Sequence, residues 1–439
     1  MAARYRTIER DQMMLLPPDL REWIPAGDIV YFIIEAAAMV PLADFDTNQM
    51  GTGEEQYHPH MMLALLLYCY SHGTFGSCRI ERATWKDVSA RYICGGKHHP
   101  DHDTICAFRV KNEKAIGQAF LRVLKLAREM GVLKVGTVSV DGTKIKANAS
   151  IHKSLRYDRA GQLEAQLKLE IEELMAKARE AETNEPRDQE ELVGELQRLD
   201  TLREKMRKAQ EALEKRAKDN QKPKKSNKDD PDSPPAVPKP EPKNQVNLTD
   251  SDSRIMRKNN RSGYEQAYNA QAVVDATGSM LVLGSRVSNV GPDSGQLAID
   301  IDAVSAEVGT IETVIADTGY ASGEPVQDLQ GRRIEVFVAL GKQAKMHRRA
   351  HDFRPVPKDD PNRKAPIVWR KPWVIGMRKL LDSERGQQIY KLRKQSVEPV
   401  FEQAMGFRQF LLRGLEKTNL EWQLVICAYN LKRLAGLKA

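Results

Sequence analysis

The chain has 439 residues, 41% of them hydrophobic, and a net charge of +8 from 68 Lys and Arg against 60 Asp and Glu. That length makes about two to four domains the starting expectation. Its most apolar run, Met61 to Tyr70, is far shorter than the roughly 20 residues a bilayer needs, and the amino terminus has no signal-peptide pattern, which points to a cytoplasmic protein without a membrane anchor. Five cysteines, Cys69, Cys78, Cys94, Cys106 and Cys427, are too few and too unevenly spread for a disulfide framework and read as small core residues of a reducing compartment.

In chain order, Arg4 to Val132 has helical periodicity. Apolar helices are expected around Ile29 to Val40 and Met61 to Tyr70. A third helix is expected over Thr104 to Met130, with Asp103 or Thr104 as its N-cap. Its apolar positions are interspersed with Arg109, Lys111, Lys114, Arg122 and Lys125. Such a basic helical region suits a helix laid against DNA, with Arg109 and Lys111 as contacts, although a charged face is often only a solvated one. Within it, Cys94-Gly-Gly-Lys-His98-His99-Pro-Asp-His102-Asp-Thr-Ile-Cys106 offers zinc donors. Their spacing matches no common closed zinc site, so a polar turn before the next helix is the better account.

The β-rich run Val135 to Lys146 carries Asp141-Gly142 in its middle. Two readings stand there: a tight hairpin turn, or a strand-end carboxylate able to hold a metal ion. Asp158 to Asn220 has leucines at heptad-like intervals among alternating charges, broken near Pro186, and reads as two antiparallel helices in an inserted hairpin. Seven prolines between Gln221 and Lys243 mark a disordered, extended linker. A β-hairpin follows, Tyr264 to Asp275 and Met280 to Val287, then a helix from about Asp293 through Val304, then the short strand Thr313 to Asp317. Strands and helices in this order make an α/β domain built on a central sheet. Between Gly341 and Lys394 there are 16 Lys and Arg against 5 Asp and Glu, which leaves the rest of the chain slightly acidic. That segment, with Trp369 and Trp373, is the region suited to phosphates and unpaired bases. Pro399 suits the first turn of a helix, so Glu398 is expected near a helix amino end, with the helix running on through Phe407 and Phe410. An amphipathic helix from Leu420 to Leu434 closes the chain.

Asp141, Asp317 and Glu398 thus form a set of acids, each placed at the end of its own element. Hard divalent cations such as Mg²⁺ prefer carboxylate oxygens, and two ions about 4 Å apart can activate an attacking oxygen while stabilising the leaving one. Two rivals are Glu402, one helical turn from Glu398, and Asp275, which also ends a strand but reads as a turn residue.

Three motifs now carry a resemblance. Val140-Asp141-Gly142-Thr143-Lys144-Ile145, Ile315-Ala316-Asp317-Thr318-Gly319-Tyr320 and Val397-Glu398-Pro399-Val400-Phe401 resemble, in order, the first-Asp, second-Asp and Glu motifs of the DDE transposases of bacterial insertion sequences. Leu15-Leu16-Pro17 and Asp101 to Arg109 are similar to the helical domain that precedes the catalytic core in one branch of that family. The resemblance implies a ribonuclease-H-like catalytic fold in which Asp141, Asp317 and Glu398 bind two Mg²⁺ or Mn²⁺ ions. It implies cleavage by water at the element's end, then attack of the freed 3′-hydroxyl on target DNA. Tyr390, Arg393 and Glu398 match the family's Tyr, Arg, Glu, Lys signature with one extra residue before the Glu. Met405 stands where the trailing Lys is counted, and Arg408 is the candidate for that role; Tyr390, Arg393, Lys394 and Arg408 are the expected DNA contacts. The short stretch before Gly406-Phe407-Arg408 raises the option of an impaired copy.

The implied organisation is a helical, DNA-binding residues 1–132, a catalytic domain of 133–157 and 262–439, an inserted helical hairpin at 158–220 and a disordered linker at 221–261. The expected partners are double-stranded DNA, at the terminal inverted repeats and the target, and a second copy of the chain when bound to DNA. The expected location is the cytoplasm, at the nucleoid.

Overall fold

The computed structural model describes residues 19–48, 55–180, 186–219, 239–258, 261–340, 371–404 and 406–438. The side chains at 178–180, 186–192, 402–404 and 438 are outside that description. So are the Leu15-Leu16-Pro17 motif, most of the proline-rich run, Trp369, Met405 and the Glu402 side chain. The chain divides into two compact units, residues 1–132 with 424–439, and residues 133–423.

The first unit is helical: α1 (Ile29–Ala38), α2 (Pro59–Ser71), α3 (Ser77–Lys86), α4 (Val88–Ile93), α5 (His102–Lys111) and α6 (Glu113–Glu129). Helix α2 is buried along nearly its whole length, from Met62 to Ser71, so it serves as the unit's central rod and needs no amphipathic stripe. The single helix expected over Thr104–Met130 is two, α5 and α6, parted at Asn112. The Asn112 side chain donates to Phe108 O at 2.9 Å and accepts from Asp46 N at 2.8 Å. Competing for the backbone in this way, Asn ends one helix and starts the next. The N-cap of α5 is Asp101, whose carboxylate accepts from Thr104 N at 2.6 Å. Cys94 is buried, while His99 stacks on Trp85 and His102 bonds Glu81 at 3.2 Å. The histidines of the suspected zinc run are therefore spent on separate local contacts.

The second unit is mixed α/β. Its strands are β1 (Thr137–Lys146), β2 (Ser154–Arg156), β3 (Gln245–Asn247), β4 (Arg254–Met256), β5 (Glu265–Asp275), β6 (Val282–Ser288), β7 (Thr313–Ala316) and β8 (Glu335–Val338). Its helices are α7 (Tyr157–Glu180), α8 (Pro186–Asp219), α9 (Leu297–Asp302), α10 (Gly323–Gly331), α11 (Pro372–Asp382) and α12 (Glu384–Ala404). A closing helix, α13 (Leu415–Lys438), starts in this unit and is buried at all positions but Gln423 between Leu420 and Leu431. It is therefore not the one-striped amphipathic helix expected.

A six-stranded sheet runs β4-β5-β1-β7-β8, with β6 also on β5. Strand β1 is antiparallel to β5, Val138 facing Asp275 and Lys146 facing Ala267, and parallel to β7, Thr137 facing Thr313 and Val140 facing Ala316. Strand β5 is buried from Gln266 to Asp275, as a strand covered on both faces must be, and its Ala- and Val-rich sequence suits that. The hairpin expected from β5 into β6 is present, and Asp275 closes it: its carboxylate accepts from Thr277 N and Ser279 N, both at 3.1 Å. That is a turn cap, and it removes Asp275 from the metal candidates. Of the two readings of Asp141-Gly142 the hairpin is absent, and Asp141 is in the middle of β1, paired with Ala272, instead of at the strand end expected for it. Strand β1 runs straight through both residues to Lys146, because β5 pairs with it over its whole length and leaves no room for a reversal.

Helices α7 and α8 are antiparallel, as expected: Tyr157 donates to Glu214 at 2.9 Å and Arg203 pairs with Glu164 at 3.3 Å. The stretch 239–258, expected as linker, carries β3 and β4. Gly284 of β6 has no space for a side chain, since a Cβ there lies 2.7 Å from Val304 Cγ2 and 3.1 Å from Val304 N. By contrast, a Cβ on Gly117, inside α6, meets nothing within 4 Å. Gly284→Ala is expected to destabilise by about 1–3 kcal/mol through overpacking, and Gly117→Ala to stabilise by about 0.5–1 kcal/mol through helix propensity; denaturant midpoints of the two variants check both signs.

Candidate active site

The centre of the second unit is where β1, β7 and α12 meet. Asp141 is in β1 one residue past the Val140–Ala316 pair, and Asp317 follows β7 by one residue. The two acids are therefore at corresponding positions, each one residue beyond the last parallel pair, Asp141 within β1 and Asp317 just past the end of β7, on strands about 4.8 Å apart. Asp141 Oδ1 accepts from Gly142 N at 2.8 Å, and its Oδ2 is 2.8 Å from Arg393 Nη2. The other guanidinium nitrogen, Arg393 Nη1, is 3.7 Å from Glu398 Oε1. One arginine thus joins the first and third acids of the set. Ser396, on the same helix, bonds Ser139 Oγ at 2.8 Å and so fastens α12 to β1.

Glu398 is not near a helix start. Helix α12 begins at Glu384 and passes through Pro399. Proline deprives the Gln395 carbonyl of its helical donor, a cost that packing of Val397, Val400 and Phe401 in the core offsets. Nor does the helix reach Phe407 and Phe410. After Ala404 the chain turns, and the Phe410 amide donates to Lys146 O at 2.8 Å, extending the sheet beside the end of β1. The Gly406 turn and the burial of both phenylalanines account for that change.

Asp141 has its pKa raised to about 6, chiefly by burial, with Arg393 pulling it down and Asp317 and Asp293 pushing it up. Tyr390 is raised as well, by burial first; Arg393 opposes this and the carboxylates of Asp317, Asp141 and Glu398 reinforce it. All these groups sense one another's charge, which places Tyr390 at the same centre.

A further carboxylate was not legible as part of the set. Asp293 accepts from Asn269 Nδ2 at 2.7 Å, Gln271 Nε2 at 3.0 Å and Lys144 Nζ at 3.1 Å. Gly319 separates Asp293 from Asp317: a Cβ at Gly319 stands 3.0 Å from Asp317 Oδ1 and 3.2 Å from Asp293 Oδ2. Gln271 also accepts from Tyr320 OH, and its side chain lies across Gly142, where any Cβ would collide with it. The signal was available in part, since Asn269 and Gln271 are polar residues at alternate positions in the middle of a buried, Ala- and Val-rich strand.

Of the expected DNA contacts, Lys394, Arg408 and Lys111 are exposed. Arg393 is turned inward onto Asp141 and Glu398. Arg109 is 2% exposed and donates to Tyr70 OH at 2.8 Å; a guanidinium held inside the helical unit is a structural strut and is removed from the DNA-facing set. The 341–370 part of the basic segment is outside the described residues. Among the described residues, no three His, Cys, Asp or Glu side chains already stand as a ligand group for a metal ion.

Comparison with known families gives two matches. Residues 18–111 match the Transposase domain (DUF772), and residues 367–435 match the Transposase DDE domain. The comparisons with curated proteins and with solved structures give no match. The two family matches, one in each half of the chain, indicate an insertion-sequence DDE transposase, and transposition as its activity. Glu398 is inside the second matched segment, and Asp141 and Asp317 are between the two. Among the described residues, no helix is long and apolar enough to cross a membrane.

Because burial raises the Asp141 pKa above the ordinary 3.8 to about 6, the native state holds a proton there that the unfolded chain has lost. Stability from this group is therefore full below about pH 4 and lost as pH rises through about 6. Relative to Asp141→Asn, the wild-type chain is expected to lose about 2 kcal/mol between pH 4 and pH 7 and to change little above that; denaturant melts of both proteins across this range check the sign.

Proposed function

We propose that the chain cuts and joins DNA as a DDE transposase, with a ribonuclease-H-like core formed by the sheet and α12, and with Asp141, Asp317 and Glu398 as its metal-binding acids. The observation that carries this reading is the Arg393 guanidinium, which reaches both Asp141 on β1 and Glu398 on α12, while Asp317 is next to Asp141 in register. Three residues up to 257 positions apart in the chain thus share one charge environment.

The donor chemistry fits Mg²⁺ or Mn²⁺: the candidate ligands are all hard carboxylate oxygens, and Asp141, pushed towards its neutral form by burial, is stabilised as an anion by a nearby cation. Two such ions would polarise a phosphodiester and generate the attacking hydroxide or alkoxide. In this arrangement Arg393 balances the charge of Asp141 at 2.8 Å. Arg393 Nε is buried with no hydrogen-bond partner among the described residues. Tyr390 and the exposed Lys394 flank it on the same helix, and Arg408 takes the place of the missing trailing lysine. The polar network of Asp293, Gln271 and Tyr320 holds the turn after Asp317, so that this carboxylate keeps its position at the strand end. The helical residues 1–132 bind DNA, with Lys111 among the contacts. In this reading the catalytic domain around the inserted helices is residues 133–157 and 239–423, where 133–157 and 262–439 were expected, because β4 pairs with β5 and residues 424–439 group with the helical unit. Two copies act together in the nucleoid, one for each terminal repeat.

A second reading, a DNA-binding protein of the same lineage that no longer cuts, is favoured by one observation: Arg393 is paired with the Asp141 carboxylate at 2.8 Å. Incubating the purified chain with the DNA that flanks its own gene separates the two. The transposase reading expects cleavage that requires Mg²⁺ and falls to the uncatalysed background in Asp141→Asn, with DNA binding retained; cleavage that survives this change would sink the metal assignment. Lys394→Gln is expected to weaken binding across all sequences and to lower the salt slope of log K by about 1, as read by anisotropy titrations at several salt concentrations.

A further inference from the structure

Beyond the carboxylate centre, β1 runs on into a groove that nothing above assigns. Two cavities, of about 700 and 550 Å³, share Lys146, Tyr264 and Glu265 in their walls and so form one continuous depression within the second unit. Lys144, whose charge is met by Asp293, lines the first together with Lys258 and Arg408, and Lys153 and Arg413 line the second. Among the described lining residues Glu265 is the lone carboxylate, and Lys146 already pairs with it at 3.2 Å. The surplus positive charge calls for a polyanion. The floor of the first cavity is apolar, formed in part by Phe401, Phe407 and Trp422.

Tyr264 is at the junction of the two cavities and is 57% exposed. The guanidinium of Arg257 is 5.4 Å from the centroid of its ring. An aromatic ring backed by a cation on one face and open to solvent is a stacking platform, and every nucleobase has a π-face to offer it. Stacking then decides between paired and unpaired DNA: a base inside a duplex already has both faces covered by its neighbours, whereas an unpaired base has a free face for Tyr264. The groove follows the acids along β1, because Thr143, two positions after Asp141 and so on the same face of the strand, lines the first cavity.

We propose that this groove binds an unpaired DNA strand, with phosphates on Lys146, Lys153, Arg408 and Arg413 and one base stacked on Tyr264. The proposal rests on the reading of the carboxylate centre as a DNA-cutting site, since cutting is what frees a strand end there. The binding itself is measurable without cutting.

The test uses the full chain without Mg²⁺ and two oligonucleotide probes of arbitrary sequence: a blunt duplex, and the same duplex with a short unpaired extension carrying 2-aminopurine. Wild-type protein is expected to bind the extended probe more tightly and to quench the fluorescent base. Tyr264→Ala should lose the quenching and about ten-fold or more of the affinity for the extended probe while binding the blunt duplex as before; Tyr264→Phe should keep both. Lys153→Gln with Arg413→Gln should lower the salt slope for the extended probe only. Equal affinity of wild type for the two probes, absence of quenching, or equal losses on both probes in Tyr264→Ala would overturn the proposal. The DNA-cutting reading fails separately: a chain that quenches the base but never cleaves with Mg²⁺ keeps the groove and loses the transposase chemistry, whereas one that cleaves but treats both probes alike does the reverse.

Discussion

Strand β1 pairs antiparallel with β5 along one edge and parallel with β7 along the other, and the remainder of the second unit is arranged around that double pairing. The parallel side is short, ending at Val140 and Ala316, while the antiparallel side continues to Lys146. Asp141 therefore sits where one neighbour has stopped and the other goes on. Its carboxylate is covered enough to be costly as an anion, yet the edge left by β7 gives a guanidinium room to reach it. Burial and compensation at this residue bind sheet and helix into one site: the pair with Arg393 and the Ser139–Ser396 bond are what fix α12 over β1. Breaking such a pair from one side leaves a poorly solvated charge, typically the costlier change.

The same strand serves two environments. Before Asp141 it is core, with Val138, Ser139 and Val140 fully buried. After it the side chains become polar and basic: Lys144 reaches Asp293, and Lys146 pairs with Glu265 at the rim of a basic groove. Gly142 marks the change, because only a residue without a side chain lets Gln271 lie across β1 and join Tyr320 to Asp293. The acids, the network beneath the Asp317 turn and the groove are thus successive stretches of one strand's surroundings.

Much of this was legible from local sequence. The helical first region, the antiparallel helices after Asp158, the hairpin closed by Asp275 and the short strand before Asp317 all follow from periodicity and turn residues, which act over a few positions. The family matches at residues 18–111 and 367–435 agree with the resemblance read from the motifs, and the second of them contains Glu398. What misled was local chemistry overruled at a distance. Asp141-Gly142 has turn composition but is held extended by nine paired positions on β5. Pro399 has a helix-start preference but lies inside α12, because the apolar residues on either side of it pack into the core. Arg109 reads as a surface cation but is drawn inside by Tyr70.

The sequence by itself determined which residues carry chemistry, since the identity of an acid, a base or an aromatic is written at its own position, and it determined the elements whose signals are short-ranged. The tertiary structure alone decided which of them meet. That Arg393 neutralises Asp141 instead of facing outward, that Asp293 stands beside Asp317, and that Tyr264 shares a groove with Arg413 depend on strand register and helix placement. Those are set by the burial of side chains far apart in the chain. A register shift of one residue would turn Asp141 to the opposite face of the sheet, and no local motif encodes that register.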